Sequence, residues 1–260
     1  RVMASVLLPT FATRPAAAAV ADPSTLIVPA NLQGTTAHFE VYADPALGPD
    51  GVTDAQGVLS KCEGDYATVS SYFGGIVAGP FRVVLYASPG GAYHLGCDAT
   101  DLFCDAKASP ANPDLSEFLN VAEFVEVFEA LQNGGWDCGA SNGEGLSRVL
   151  ATDAYPEQLN GFATATAWLD SSRTNFVDHT LASDTNSAAN GCSVLFLNWL
   201  RFQLNYSWTQ IVGAAAPTLG ETYRKLTGKN DGFKQFETLI NQHFPKGQPS
   251  GLTTDNPFPI

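Results

Sequence analysis

Four glutamates stand where chemistry is most to be expected in this chain. Glu123, Glu126 and Glu129 punctuate the otherwise apolar run LNVAEFVEVFEALQ, and Glu144 follows a glycine-rich turn in ASNGEGLSRVLA. A carboxylate taken out of water must protonate or find a cation. Two carboxylates facing each other across a cleft can do acid/base or nucleophilic work on a glycosidic bond. A carboxylate set can also hold a hard cation such as calcium or manganese. The candidate catalytic residues are therefore Glu123, Glu126 and Glu144. Trp136, Asp137 and Asn142 on the connecting loop are candidate substrate-binding residues, with Trp136 available to stack on a sugar. Arg148 joins them, one turn after Glu144 and spaced to pair with it. The competing reading makes Glu123, Glu126 and Glu129 one solvated stripe, with Glu144 serving only the dipole of its own helix.

These side chains need a frame. Leu115 to Gln132 is apolar around nearly its whole circumference, which predicts a buried central helix. A second helix is expected from about Asn142 or Gly143. Upstream, Ala37–Tyr42, Phe81–Ala87 and Ala92–Leu95 read as strands. Thr53 with Gln56 forms a capping-box pattern for a helix whose Val58, Cys62, Tyr66, Val69 and Phe73 share one face. Downstream the pattern is helical: Gly161–Leu169, Cys192–Leu204 beneath the site, Ser207 capping WTQIVG, Thr218–Leu226 and Asp231–Phe244.

Gly139-Ala140-Ser141-Asn142-Gly143 matches G-x-S-x-G, and Asp178 and His243 follow in the chain order of a hydrolase triad. The elbow needs a strand directly before its serine, and QNGGWDC is not one. His38, His94, His179 and His243 each read as structural or surface residues.

The 260 residues carry 13 Lys and Arg against 26 Asp and Glu, a net charge of −13. Repulsion then opposes nucleic acid and anionic membranes as partners. No apolar run is long enough for a spanning helix. A small-molecule, glycan or peptide substrate in a cleft, bound by a monomer, remains the expectation. Of five cysteines, Cys97 and Cys104 lie in one loop, GCDATDLFCD, and form the expected disulfide. Cys62, Cys138 and Cys192 are left over. Low lysine, abundant Asn, Thr and Ser, and possible disulfides point to a secreted protein. Residues 1–30 read as an N-terminal arm or the remnant of a secretion signal.

The order of elements resembles the gluzincin branch of the zincin-like metallopeptidases. There a central helix carries H-E-x-x-H, and a downstream helix supplies a glutamate as third zinc ligand. Ala122-Glu123-Phe124-Val125-Glu126 occupies the first motif, and Asn142-Gly143-Glu144-Gly145-Leu146-Ser147 the second. The resemblance implies a general-base position at Glu123 and a ligand position at Glu144. Both metal-ligating histidines are replaced, by Ala122 and Glu126, so zinc is not expected and no cofactor is assigned. Calcium or manganese fits the carboxylates better.

The expected fold is thus α+β and zincin-like. A small N-terminal sheet with helices spans residues 31–135, a mostly helical lobe spans 136–260, and a cleft lies between them. The expected function is that of a secreted hydrolase-like protein whose carboxylates act on a glycosidic or related bond. The alternatives are an inactive peptidase-like binding protein, and a hydrolase using a hard cation.

Overall fold

A computed structural model describes Leu26 and residues 28–87, 91–107, 110–159 and 161–260. The expected N-terminal arm falls almost wholly outside the described residues.

The architecture is α+β. Five strands, β1 (Asn31–Thr35), β2 (Phe39–Ala43), β3 (Phe81–Tyr86), β4 (Ala92–Tyr93) and β5 (Asp101–Asp105), form one sheet in the order β1-β2-β3-β5-β4. The central β2, β3 and β5 run parallel, and β1 and β4 are antiparallel edges. Helix α1 (Gly48–Tyr72) connects β2 to β3, and α2 (Pro113–Gln132) follows β5. Both pack on one face of the sheet, where Phe39, Val41, Val83, Leu85, Leu102 and Cys104 are buried. The opposite face carries a small cluster of Tyr42, Val84 and Phe103, covered in part by Leu26, Val28 and Ala30.

Two strands escaped the sequence pattern. β1 is polar and half-exposed, NLQGT, so it has no apolar alternation to read. β5 is short and flanked by aspartates, DLFCD, yet it lies inside the sheet between β3 and β4. This placement corrects the expected Cys97–Cys104 disulfide. Cys104 faces the core with no exposure, and the bond joins Cys97 to Cys138 instead. Helix α1 also begins earlier than the Thr53 pattern suggests. Pro49 occupies its first turn, where a missing N–H costs nothing, and the Thr53 hydroxyl bonds back to the Pro49 carbonyl inside the helix. The face predicted for α1 is the one buried, from Val58 to Phe73.

The remaining helices are α3 (Ser141–Ala154), α4 (Ala165–Leu169), α5 (Ser187–Asn198, prolonged by a π turn to Gln203), α6 (Trp208–Gly213), α7 (Leu219–Thr227) and α8 (Gly232–His243). Ser207 and Gln210 cap α6 reciprocally, as their spacing requires. Trp168, Phe196, Trp199, Tyr223 and Phe236 stack into an aromatic core beneath these helices. α5 packs against α3, and the approach is close: a Cβ on Gly145 would lie 2.5 Å from the Ser193 Cβ. Among the described residues no helix is long and apolar enough to cross a membrane.

Candidate functional site

α2 is buried because its apolar residues leave no polar stripe. The sheet and α1 cover one side and α3 another, so its acidic residues cannot all reach water. Successive helix residues turn by about 100°, so positions three apart lie about 60° from each other. Glu123 and Glu126 therefore open together into one cavity of about 480 Å³. Glu129, a further step round, does not. It is wholly buried beside Gly143 at the start of α3, and neither carboxyl oxygen meets a protein donor. The solvated-stripe reading is thereby excluded, since Glu123 and Glu126 are 8% and 7% exposed and Glu129 is fully buried.

α3 closes a second side of the cavity with Glu144, Ser147 and Arg148. These positions recur at three- and four-residue spacing and share a face. The β4 edge and the loop after it form the third side, including His94 and Cys97. Strand alternation turns Ala92 and His94 toward α2, while Tyr93 stacks on Phe103 on the far face. Phe118 and Phe162, with ring centres 5.7 Å apart, give the cavity an apolar end. The Cys97–Cys138 bond ties the β4–β5 loop to the α2–α3 loop at its rim.

Glu126 is the hub. Its Oε2 lies 2.9 Å from His94 Nε2, and its Oε1 accepts the Ser147 hydroxyl at 3.1 Å. Arg148 donates from Nε to Glu144 Oε1 at 2.5 Å and from Nη1 to the Phe162 carbonyl at 3.0 Å. The Glu144–Arg148 pairing expected from their spacing is thus present.

Burial pushes the Glu123 carboxyl well above its ordinary range, and the charges of Glu126 and Glu144 push the same way against Arg148. Burial also raises Glu144, the Arg148 charge draws it back, and contact with Glu126 raises it again, to about 7. Burial alone would lower the His94 imidazole, but its hydrogen bond to Glu126 and the charge there leave it raised. The cavity thus holds carboxyls that keep protons near neutral pH beside a group that readily takes one.

Of the predicted residues, Glu123, Glu126, Glu144 and Arg148 come together around one space. Trp136, Asp137 and Asn142 do not line it. Trp136 is a core residue, 4% exposed, whose indole N–H meets the Val212 carbonyl at 3.3 Å. Asn142 is buried and donates to the Gly135 carbonyl at 2.8 Å. Asp137 is exposed and accepts the Gly139 N–H at 3.0 Å. All three hold the α2–α3 loop. Ser141 likewise follows a turn and bonds Leu181, with no strand before it to make an elbow.

His94 and Ser147 are the residues that sequence reasoning missed. His94, read from the sequence as structural or surface, has a buried, hydrogen-bonded side chain in the cavity wall. The one available signal was its place two residues along a short edge strand. The zinc set implied by the gluzincin resemblance does not fit this cavity. Ala122 presents a methyl group where the first histidine ligand should stand, and Glu126 puts a carboxylate where the second should be.

No protein-family model, no curated protein and no solved structure matches the chain.

Proposed function

We propose that the chain is a hydrolase-like protein on a zincin-like frame that works through carboxylates in place of zinc. The observation that carries this reading is the convergence of Glu123, Glu126 and Glu144 in one cavity, with Arg148 bonded to Glu144 alone among the three. The frame is supported by a parallel sheet with an antiparallel edge at the cavity, a buried helix bearing Glu123, and a following helix bearing Glu144.

On a glycosidic or related bond, protonated Glu123 delivers a proton to the leaving oxygen. Glu144, oriented by Arg148, attacks or activates water from the other side. Phe118 and Phe162 offer an apolar surface to one face of a sugar ring. An acidic cavity in a chain of net charge −13 favours neutral polar or cationic substrates. A secreted setting belongs to the same reading and is supported by the Cys97–Cys138 bond.

The test is turnover of a panel of chromogenic glycosides by the wild type and by Glu123→Gln and Glu144→Gln. Turnover by the wild type that drops about 100-fold or more in either variant, with melting temperatures held, is the expected result. Wild-type turnover that survives both substitutions defeats the assignment. The absence of turnover on any bond favours the second reading, an inactive peptidase-like binding protein. That reading is supported by Ala122 in the ligand position and by the edge position of β4 at the cavity, the kind of place where an extended chain adds as a strand.

A further inference from the structure

We propose that reduction of the Cys97–Cys138 disulfide turns the cavity wall into a zinc site built from His94, Glu126 and Cys138. One donor atom from each of these residues lies within 4.8 Å of the other two. Zinc bonds of about 2.0–2.3 Å place the donors of a tetrahedral site about 3.3–3.8 Å apart, so small side-chain adjustments close the set. The proposal does not depend on the hydrolytic reading, because it is measured by metal binding.

Three features favour a metal here. His94 Nδ1 lies 3.3 Å from the Ala99 carbonyl. With Nδ1 turned to that carbonyl, Nε2 faces Glu126 Oε2 at 2.9 Å. A ring nitrogen and a carboxylate oxygen at that separation share a proton that a metal ion can displace. The Ala99 carbonyl on His94 and the Ser147 hydroxyl on Glu126 are the kind of outer partners that orient metal ligands. The donor set is also chemically suited, with imidazole nitrogen, carboxylate oxygen and thiolate sulfur all being zinc ligands.

Sulfur is what the oxidised cavity withholds. A disulfide sulfur carries no thiolate charge and is a poor ligand. Cys97 and Cys138 are half-buried at the cavity rim, where a small reductant can reach them, whereas Cys62, Cys104 and Cys192 are buried free thiols. A phosphine gives two electrons to the S–S bond and takes up the oxygen of a water molecule, whose two protons leave two protein thiols beside the phosphine oxide. Zinc then displaces the Cys138 thiol proton and the proton between His94 and Glu126. Cys97 or water fills the fourth position.

The experiment uses the full chain, oxidised or treated with a non-chelating phosphine reductant, with zinc affinity measured by competition against a chromophoric chelator. Cobalt(II) replaces zinc in a parallel optical titration. The reduced wild type is expected to bind one zinc about tenfold or more tightly than the oxidised form, and its cobalt complex to show a thiolate charge-transfer band. Cys97→Ser, which leaves Cys138 free, should bind zinc without any reductant. His94→Ala and Cys138→Ser should each lose about tenfold or more in affinity after reduction. Equal zinc binding by oxidised and reduced chains would overturn the proposal. So would zinc retained by reduced Cys138→Ser, because the sulfur ligand would then not be Cys138.

Discussion

Arg148 and Glu144, one helical turn apart on α3, are bonded Nε to Oε1 at 2.5 Å inside the cavity. Among the described cavity-lining residues, Arg148 is the only guanidinium or ammonium set against Glu123, Glu126 and Glu144. It draws the Glu144 midpoint down, while burial and Glu126 hold it up at about 7. Arg148→Met keeps much of the side-chain volume and removes the charge. A carboxyl-carbon NMR titration should then place the Glu144 midpoint above its wild-type position. If the protein is a hydrolase, the acid limb of its pH–rate profile should rise with it. A midpoint that stays at about 7 would show that the pair is not what sets it.

The dependence of stability on pH should be reversed from that of an ordinary domain. Glu117, Glu123 and Glu129 are buried with raised proton affinity, Asp54 is raised to about 6, Glu144 to about 7, and Asp255 is raised as well. A carboxyl raised on folding holds a proton that the unfolded chain releases. Its stabilisation is full below the unfolded value, near 4.5 for glutamate, and is lost as pH rises through the folded one. Glu63, held low by Thr36 and His38 against the effect of burial, acts the other way. The larger group prevails, so the melting temperature should be highest on the acid side and fall between about pH 5 and pH 8. A melt that rises over that window would refute the protonated-cavity picture. Glu129→Gln, which removes a titrating group without hydrogen-bond partners, should flatten the slope.

Two glycines control the approach of the α2–α3 loop. Gly135 has φ 123°, and a Cβ there would lie 2.4 Å from the Ala216 carbonyl carbon. At Gly143 a Cβ would stand 2.3 Å from the Asp137 carbonyl oxygen and 2.5 Å from Glu129 Oε2. Alanine at either site should cost about 2–4 kcal/mol, from backbone strain at the first and overpacking at both. Urea unfolding measures this directly. Gly64, where a Cβ would meet nothing within 4 Å, should tolerate alanine and serves as the control.

The disulfide spans a sequence separation of 41 residues. Closing a loop of that size stabilises by about 2–4 kcal/mol through the unfolded chain. Replacing both Cys97 and Cys138 with serine should lower unfolding stability by that amount. A non-reducing peptide map should recover Cys97 linked to Cys138, with Cys104 alkylated only after unfolding. A Cys97–Cys104 peptide would overturn the rim connection.

The sequence by itself determined the burial of α2, since a helix without a polar stripe has no face to offer water. It also determined the pairing of Glu144 with Arg148, because four residues on a helix is a fixed distance. The apolar face of α1, the cap of α6 and the joint opening of Glu123 and Glu126 came from the same local periodicity. Tertiary structure decided the rest, for reasons that no local pattern carries. A two-residue edge strand brings His94 to Glu126 across 32 positions. The strand DLFCD is recognisable only by its neighbours in the sheet, and once placed there it turns Cys104 inward and leaves Cys97 for Cys138. The path of the α2–α3 loop sends Trp136 and Asn142 into the core. Spacing along a helix is set by covalent geometry, whereas contacts between edges, loops and rims depend on how the whole chain packs.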